Sequence, residues 1–599
     1  MRLLDHPHHD GSPLYVATSR PALGQAVTLR VRTPEVYGVT EVHLRTTPDG
    51  EPRFTPAERE SAEWWTVTVD AHNPVTNYRF YLLLDGGRPP VWLTAAGLAE
   101  GDLPDATDFR LVAYDAPADW IADAVVYQVF PDRFARSATA EPLEAMDLPD
   151  WAWPRDWDTD EVIGRGRGVA EQFFGGDLDG VVEHLDHIQA LGANTVYLTP
   201  VFPARSNHRY DASTFEHVDP LLGGDAALRR LAEAVHARGM RLVGDITTNH
   251  CGDAHEWFVS AISDVNSPDR DMFYFTECGG CDCGNDYESW NGVKSLPKLN
   301  WGSELTRERM RHVLQKWLAD FDGWRVDVAN MTGRRGAEDR THEVAAWVRR
   351  EVTAVRPDAM VVAEHMHDAT GDLDRDGWQG TMNYGGFTRP VWTWLRGEHT
   401  DAEFFGVPGG VPVRDGVSAL ATMRAFTGRN SWRTLLHSWN PLDTHDSARM
   451  RTVTGSRERH LVAVGLQMTL PGTPMIFAGD EFGLTGWVGE QARTPMPWNR
   501  PDDRDEATLS AYQSMVALRN AHPELRRGGL RWAYAGADAL AFLREGHGGT
   551  LLVLARRAGG EAIDLGLPEG ANLYGGKALT GGCLPASGGP DFQVWRLQE

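Results

Sequence analysis

Two hydrophobic rhythms divide the chain. Up to about residue 118, apolar and polar side chains alternate in short runs such as Val27-Thr28-Leu29-Arg30-Val31 and Trp65-Thr66-Val67-Thr68-Val69. Another run, Tyr78-Arg79-Phe80-Tyr81-Leu82-Leu83-Leu84, closes on Asp85-Gly86-Gly87. A period of two between Gly, Pro and Asp turns predicts an all-β sandwich over 1–118. The final stretch, 526–599, has the same character, with Thr550-Leu551-Leu552-Val553-Leu554-Ala555 as one strand.

The middle follows a different rhythm. Short, continuously apolar runs are each followed by an amphipathic helical stretch, which is the pattern of a parallel βα repeat. Eight such runs begin near residues 124, 194, 241, 323, 360, 381, 435 and 474, and the seventh reads L-L-H-S-W-N. Eight βα units predict a (β/α)8 TIM barrel over 119–525, with its chemistry at the C-terminal strand ends. The third and fourth runs lie too far apart for a plain βα unit, so an inserted subdomain is expected at 251–303. The fold class is therefore α/β, flanked by N- and C-terminal β-sandwiches.

The chain has 599 residues, enough for several cores. Its formal net charge of −26 argues against a polyanionic partner, since nucleic-acid binding needs a basic stripe. The opening M-R-L-L-D-H-P-H-H-D carries no apolar core of signal-peptide length, and five cysteines make no disulfide framework. A cytoplasmic protein with no membrane partner is expected.

Polar groups collect at the predicted strand ends. The third run ends in Asp245 and leads to Asn249-His250, the fourth gives Arg325 and Asp327, the fifth Glu364, and the seventh runs into His445-Asp446. Any one of these could cap a helix or satisfy a loop. Their convergence on one barrel rim has no packing purpose.

The motifs around them resemble the α-amylase family. D-I-T-T-N-H (245–250), G-W-R-V-D-V-A-N (323–330), V-A-E-H (362–365) and L-D-T-H-D (442–446) are similar to its four signatures, in order. Y-L-T-P-V-F (197–202), N-H-R-Y-D (207–211) and G-D-E-F-G (479–483) fall in register with them. The resemblance implies a retaining enzyme with Asp327 as nucleophile, Glu364 as acid and base, and Asp446 on the hydroxyls of a distorted sugar. It implies substrate contacts from His208, Tyr210, His250, Arg325, His445 and Arg493. Retention needs carboxyls about 5–5.5 Å apart, which adjacent strands can supply.

L-P-K-L-N (296–300), D-V-A-N after Asp327 and R-T-P-M-P-W (493–498) resemble markers of the neopullulanase, cyclomaltodextrinase and maltogenic amylase branch. That branch implies a homodimer acting on α-1,4 and some α-1,6 bonds of cyclodextrins, maltooligosaccharides and pullulan. Val328 fits mixed linkage tolerance. Three departures bear on substrate choice. Met331 stands where the branch usually has Glu, H-M-H-D (365–368) replaces I-W-H-D, and Gly489 stands where Arg493's acidic partner is expected, with Glu490 one place off. A small or branched cyclic maltooligosaccharide is a candidate substrate.

No cofactor is expected. Gly175-Gly176-Asp177 resembles half of the branch's calcium site, but the other half reads A-R-S-A-T-A-E-P (135–142), and calcium wants six or more oxygens. Cys278, Cys281 and Cys283 form C-x2-C-x-C, whose spacing is not that of standard zinc knuckles; reduced thiols or one disulfide are preferred over zinc. Two alternatives share the scaffold. A glucanotransferase or isomerase would resolve the same ester with a sugar, and a non-catalytic glucan binder would have lost a carboxylate that is present here.

Overall fold

A computed structural model describes residues 2–276 and 286–598. Its centre is an eight-stranded parallel barrel: β1 (Val126–Val129), β2 (Thr195–Leu198), β3 (Arg241–Thr247), β4 (Gly323–Asp327), β5 (Met360–Ala363), β6 (Gly380–Thr381), β7 (Trp439–Pro441) and β8 (Thr473–Phe477). Neighbours pair in sequence order, β8 pairs β1, and a parallel bridge between Met382 and Trp439 joins the β6 and β7 ends. Both faces of these strands are buried, inside by the barrel and outside by helices, which is why they read as unbroken apolar runs.

The interior is layered. Val126, Val243, Met360, Val362, Trp439 and Met475 pack together inside. Because side chains alternate along a strand, the residues two positions further on face the same interior, nearer the rim. Those residues are Gln128, Asp245, Glu364 and, along β4, Arg325 and Asp327. The apolar plug thus gives way to a polar layer at the C-terminal mouth.

β7 corrects the sequence reading. Leu435–His437, expected to begin the seventh strand, belong to an α-helix, Trp432–His437, and the strand starts at Trp439. The Ser431 hydroxyl caps that helix by accepting from the Thr434 amide at 3.2 Å. Ser431 is itself held by Asp374, 57 residues upstream, through its amide at 2.8 Å and its hydroxyl at 2.5 Å. A long-range cap therefore overrides a local apolar run that suits either structure.

The inserted segment carries a helix at Glu256–Ser263 and a short ladder pairing Phe275–Thr276 with Asp286–Tyr287. Cys278, Cys281 and Cys283 lie outside the described residues; Cys251, at the start of the insertion, is buried with a free thiol.

The N-terminal residues form two antiparallel sheets around their own core, including Leu29, Val42, Trp65, Phe80 and Leu111. Burial alternates along Ala26–Arg32 as the period of two requires. The C-terminal part is a five-stranded antiparallel sheet from Gly529 onward with a two-stranded companion. Barrel arginines reach back to the link between module and barrel. Arg433 donates to the carbonyls of Val112 (3.2 Å) and Tyr114 (2.9 Å), and Arg349 to that of Asp115 (2.5 Å). Among the described residues no helix is long and apolar enough to cross a membrane.

Candidate active site

Strand register creates the site. Asp245 lies opposite Arg325, Thr247 opposite Asp327, and Val326 opposite Ala363, so Glu364 follows directly beside the end of β4. The Glu364 amide donates to the Val326 carbonyl at 2.9 Å, continuing the ladder by one residue.

Arg325 is wholly buried at the centre. One terminal nitrogen, Nη1, donates to Asp327 Oδ1 at 2.8 Å and to both oxygens of Asp245 at 3.1 Å; Nη2 lies 3.0 Å from Glu364 Oε1. Asp327 and Glu364 therefore grip the two ends of one guanidinium, which fixes their separation to the span of that group. The second Glu364 oxygen accepts from the Val328 amide at 2.8 Å. To aim that amide, Val328 adopts φ 43°, a left-handed conformation that costs a β-branched residue about 1–3 kcal/mol.

Three carboxylates share one cation here, and their titration reflects the surplus. Burial, then the charge of Glu364, pushes Asp327 well above the usual carboxylate range, while Arg325 pulls the other way. Burial likewise pushes Asp245 up to about 6 against the pull of Arg325 and the tyrosine hydroxyls. Tyr197 and Tyr210 donate to Asp245 Oδ2 at 2.6 and 2.9 Å.

Asp446 stands across the mouth, with about a third of its side chain open to solvent. Arg493 donates to its Oδ1 at 3.0 Å, and His445 Nε2 lies 3.1 Å from Oδ2. Burial opposes its ionisation, but His445 and Arg493 outweigh that and hold the carboxyl below its ordinary range. Burial pushes His445 down to about 3, so it is neutral near pH 7 and Arg493 is the lasting cation. Gln128 holds the other nitrogen of His445 at 2.8 Å, and the Tyr210 hydroxyl meets Nε2 at 2.8 Å. Tyr210 and His445 lie nearly parallel, ring centres 5.6 Å apart, and His208 stacks on Tyr210 at 5.8 Å.

His250 uses Nδ1 on Asn249 (3.1 Å), leaving Nε2 buried without a partner among the described residues. Lys298, from the inserted segment, bonds the Asn249 side chain and donates to the Met331 carbonyl at 2.9 Å. That contact fastens the insertion to the rim.

With this geometry in view, comparison with known proteins is decisive. The α-amylase catalytic-domain family matches residues 128–504. The chain belongs to the α-amylase family. A cyclomaltodextrinase of Bacillus sp is 30% identical over 554 residues, covering 89% of this chain and 92% of that protein. Neopullulanase 2 of Thermoactinomyces vulgaris is 30% identical, covering 77% and 74%. Among solved structures, the cyclic α-maltosyl-(1→6)-maltose hydrolase of Arthrobacter globiformis superimposes with a TM-score of 0.66 at 30% identity, covering 80% of this chain and 99% of that one.

As an α-amylase family glycoside hydrolase, the chain brings all nine site residues anticipated from the sequence to one barrel mouth or its wall. Sequence reasoning passed over Gln128 and Tyr197, which orient His445 and Asp245. Their signal was parity, because each points into the barrel from the rim end of its strand. The displaced acid also resolves: Glu490 takes Arg493 Nη1 at 2.8 Å, one helical turn away, so the partner is kept although its position moved. Asp177 caps the helix Leu178–Glu183, accepting from Gly180 (2.6 Å) and from the Ser137 hydroxyl (2.9 Å).

Proposed function

We propose that this enzyme cleaves α-glucosidic bonds with retention, through Asp327 as nucleophile and Glu364 as acid and base. The observation that carries the reading is the single buried guanidinium bridging both carboxyls. Asp327 attacks the anomeric carbon while Glu364 passes its proton to the leaving oxygen, giving a β-glycosyl ester. Glu364 then takes a proton from water, which attacks the same carbon and releases Asp327. Arg325 pulls Asp327 toward its anion, against the burial and the Glu364 charge that oppose its ionisation. Asp446, kept ionised by Arg493, accepts from hydroxyls of the distorted sugar, and Tyr210 offers its ring face beneath.

The substrates are maltooligosaccharides and cyclic maltooligosaccharides, with α-1,4 and some α-1,6 cleavage. Relatives named for cyclodextrins, for pullulan and for a cyclic α-1,6-linked maltose dimer support this range. Met331 and Met366 reshape the cleft toward compact rings. The chemistry needs no metal, a reading supported by Asp177 spending its oxygens on a helix cap. The protein works in the cytoplasm as a homodimer, the N-terminal module shading the partner's cleft; light scattering showing a monomer at micromolar concentration would end that part. For the mechanism, NMR of the first products should show the α anomer at the new reducing end. Initial β anomer would overturn both assigned roles.

A further inference from the structure

The N-terminal segment, the barrel and the C-terminal sheet meet at a cavity of about 140 Å³ whose lining includes none of the barrel-mouth residues. Its walls include the segment His6–Gly11, the hairpin turn Leu93–Leu98, Arg424 and Trp432 from the barrel helices, and Leu530–Trp532. Three domains contribute to one polar chamber.

Most charged groups on its walls already have partners. Arg110 pairs with Asp374 at 2.9 Å and Arg531 with Glu545 at 2.7 Å. Asp10 accepts the amides of Ser12 and Leu530, both at 2.8 Å. His9 bridges the Arg30 carbonyl and the Tyr78 hydroxyl. Arg424 is the exception: no hydrogen bond or ion pair to its guanidinium exists among the described residues, and burial alone depresses its pKa. Among the described residues the indole N–H of Trp432 is buried without an acceptor, and His8 Nε2 has only Asp10, at 3.8 Å. His6 is close enough to Arg424 to feel its charge. The Asn430 amide oxygen is also unmatched, and turning that amide would present another donor.

A half-buried guanidinium with no counter-charge among the described residues is a cost to the fold. A neutral sugar would satisfy the indole N–H but leave that charge uncompensated. A small oxyanion answers both, accepting from the guanidinium in a forked geometry and from the neighbouring N–H groups. We propose that this chamber binds a small oxyanion, a phosphate or a carboxylate, through Arg424 and Trp432. Bound there, the anion ties the N-terminal module to the barrel and the C-terminal sheet.

The test is thermal unfolding of the full chain at fixed pH and ionic strength, in chloride, inorganic phosphate or acetate. The native protein should gain about 2 °C or more, saturably, in phosphate or acetate over chloride. Whichever anion acts names the source. Arg424→Met should show no gain, and in chloride it should be at least as stable as the native protein. Arg424→Lys, which keeps the charge, should keep a smaller gain. No saturable gain with either anion, or an equal gain in Arg424→Met, overturns the proposal.

Discussion

Two buried arginines, Arg325 and Arg449, occupy the same barrel and are built for different ends. Arg449 donates to the carbonyls of Ala492 (3.0 Å) and Ala478 (2.8 Å), to Asp480 at 2.7 Å, and lies over the Phe477 ring at 3.7 Å. Among the described residues its one ion-pair partner is Asp480. Beyond it, burial and then the Asp480 charge push Asp443 well above the carboxylate range. Each cation there is matched, and the knot ties β8 to the loops beside it. Arg325 faces three carboxylates instead, one more than its two terminal nitrogens can pair with singly. Matched charge marks scaffold, and surplus negative charge at a rim marks chemistry.

The largest test of that contrast is Asp327→Asn. The surplus reading expects kcat to fall by at least about 10³-fold with the melting temperature unchanged or raised, because the lost charge served no fold. A folded variant turning over near the native rate would remove Asp327 from the nucleophile role. Arg449→Met should do the reverse. Stranding Asp480 costs about 3–5 kcal/mol, so the melting temperature drops while the rate per folded molecule stays within a few-fold. Calorimetry finding no loss of stability would erase the distinction.

A pH series sharpens it further. Asp245 is raised to about 6 in the fold, so its contribution to stability is fully present below the unfolded value near 4 and lost as pH rises through 6. Asp245→Asn lacks that loss. Relative to native, its stability should therefore improve between about pH 4 and pH 6 and level off above; a pH-independent difference would show that Asp245 titrates normally. The smallest effect is expected from Val328→Gly. Glycine removes the left-handed strain but adds backbone freedom, so the net stability change should stay within about 1 kcal/mol. Because the amide to Glu364 survives, kcat should fall less than about 10-fold, as steady-state kinetics on a maltooligosaccharide can show.

Much of this was legible in the residues. The barrel strands announced themselves because burial on both faces demands unbroken apolar runs, and the polar residues ending four of those runs marked the rim. What escaped was set by distance in the chain. Nothing near Leu435 says that Ser431 will be held by Asp374, so an apolar run that forms a helix read as the seventh strand. Glu490 looked misplaced because sequence offsets count positions, whereas an arginine needs only an acid within reach on the next turn. The strain at Val328 belongs to the pairing of two strands and leaves no local mark. The layered interior was half visible: parity along β1 and β2 pointed to Gln128 and Tyr197, but their roles needed His445 and Asp245 brought alongside.

The arginines that clasp Val112, Tyr114 and Asp115 have a mechanical consequence. A pull on the N-terminal module would not run straight into β1. It would be diverted through Arg433 and Arg349 into two outer helices, Trp432–His437 and Thr341–Val355, on the far side of the sequence. The same clasp discourages exchange of modules between neighbouring copies, because a traded module would have to unfasten its own tether first. Any assembly these molecules form is therefore expected to keep each module on its native barrel and to meet the neighbour through the module's outer surface.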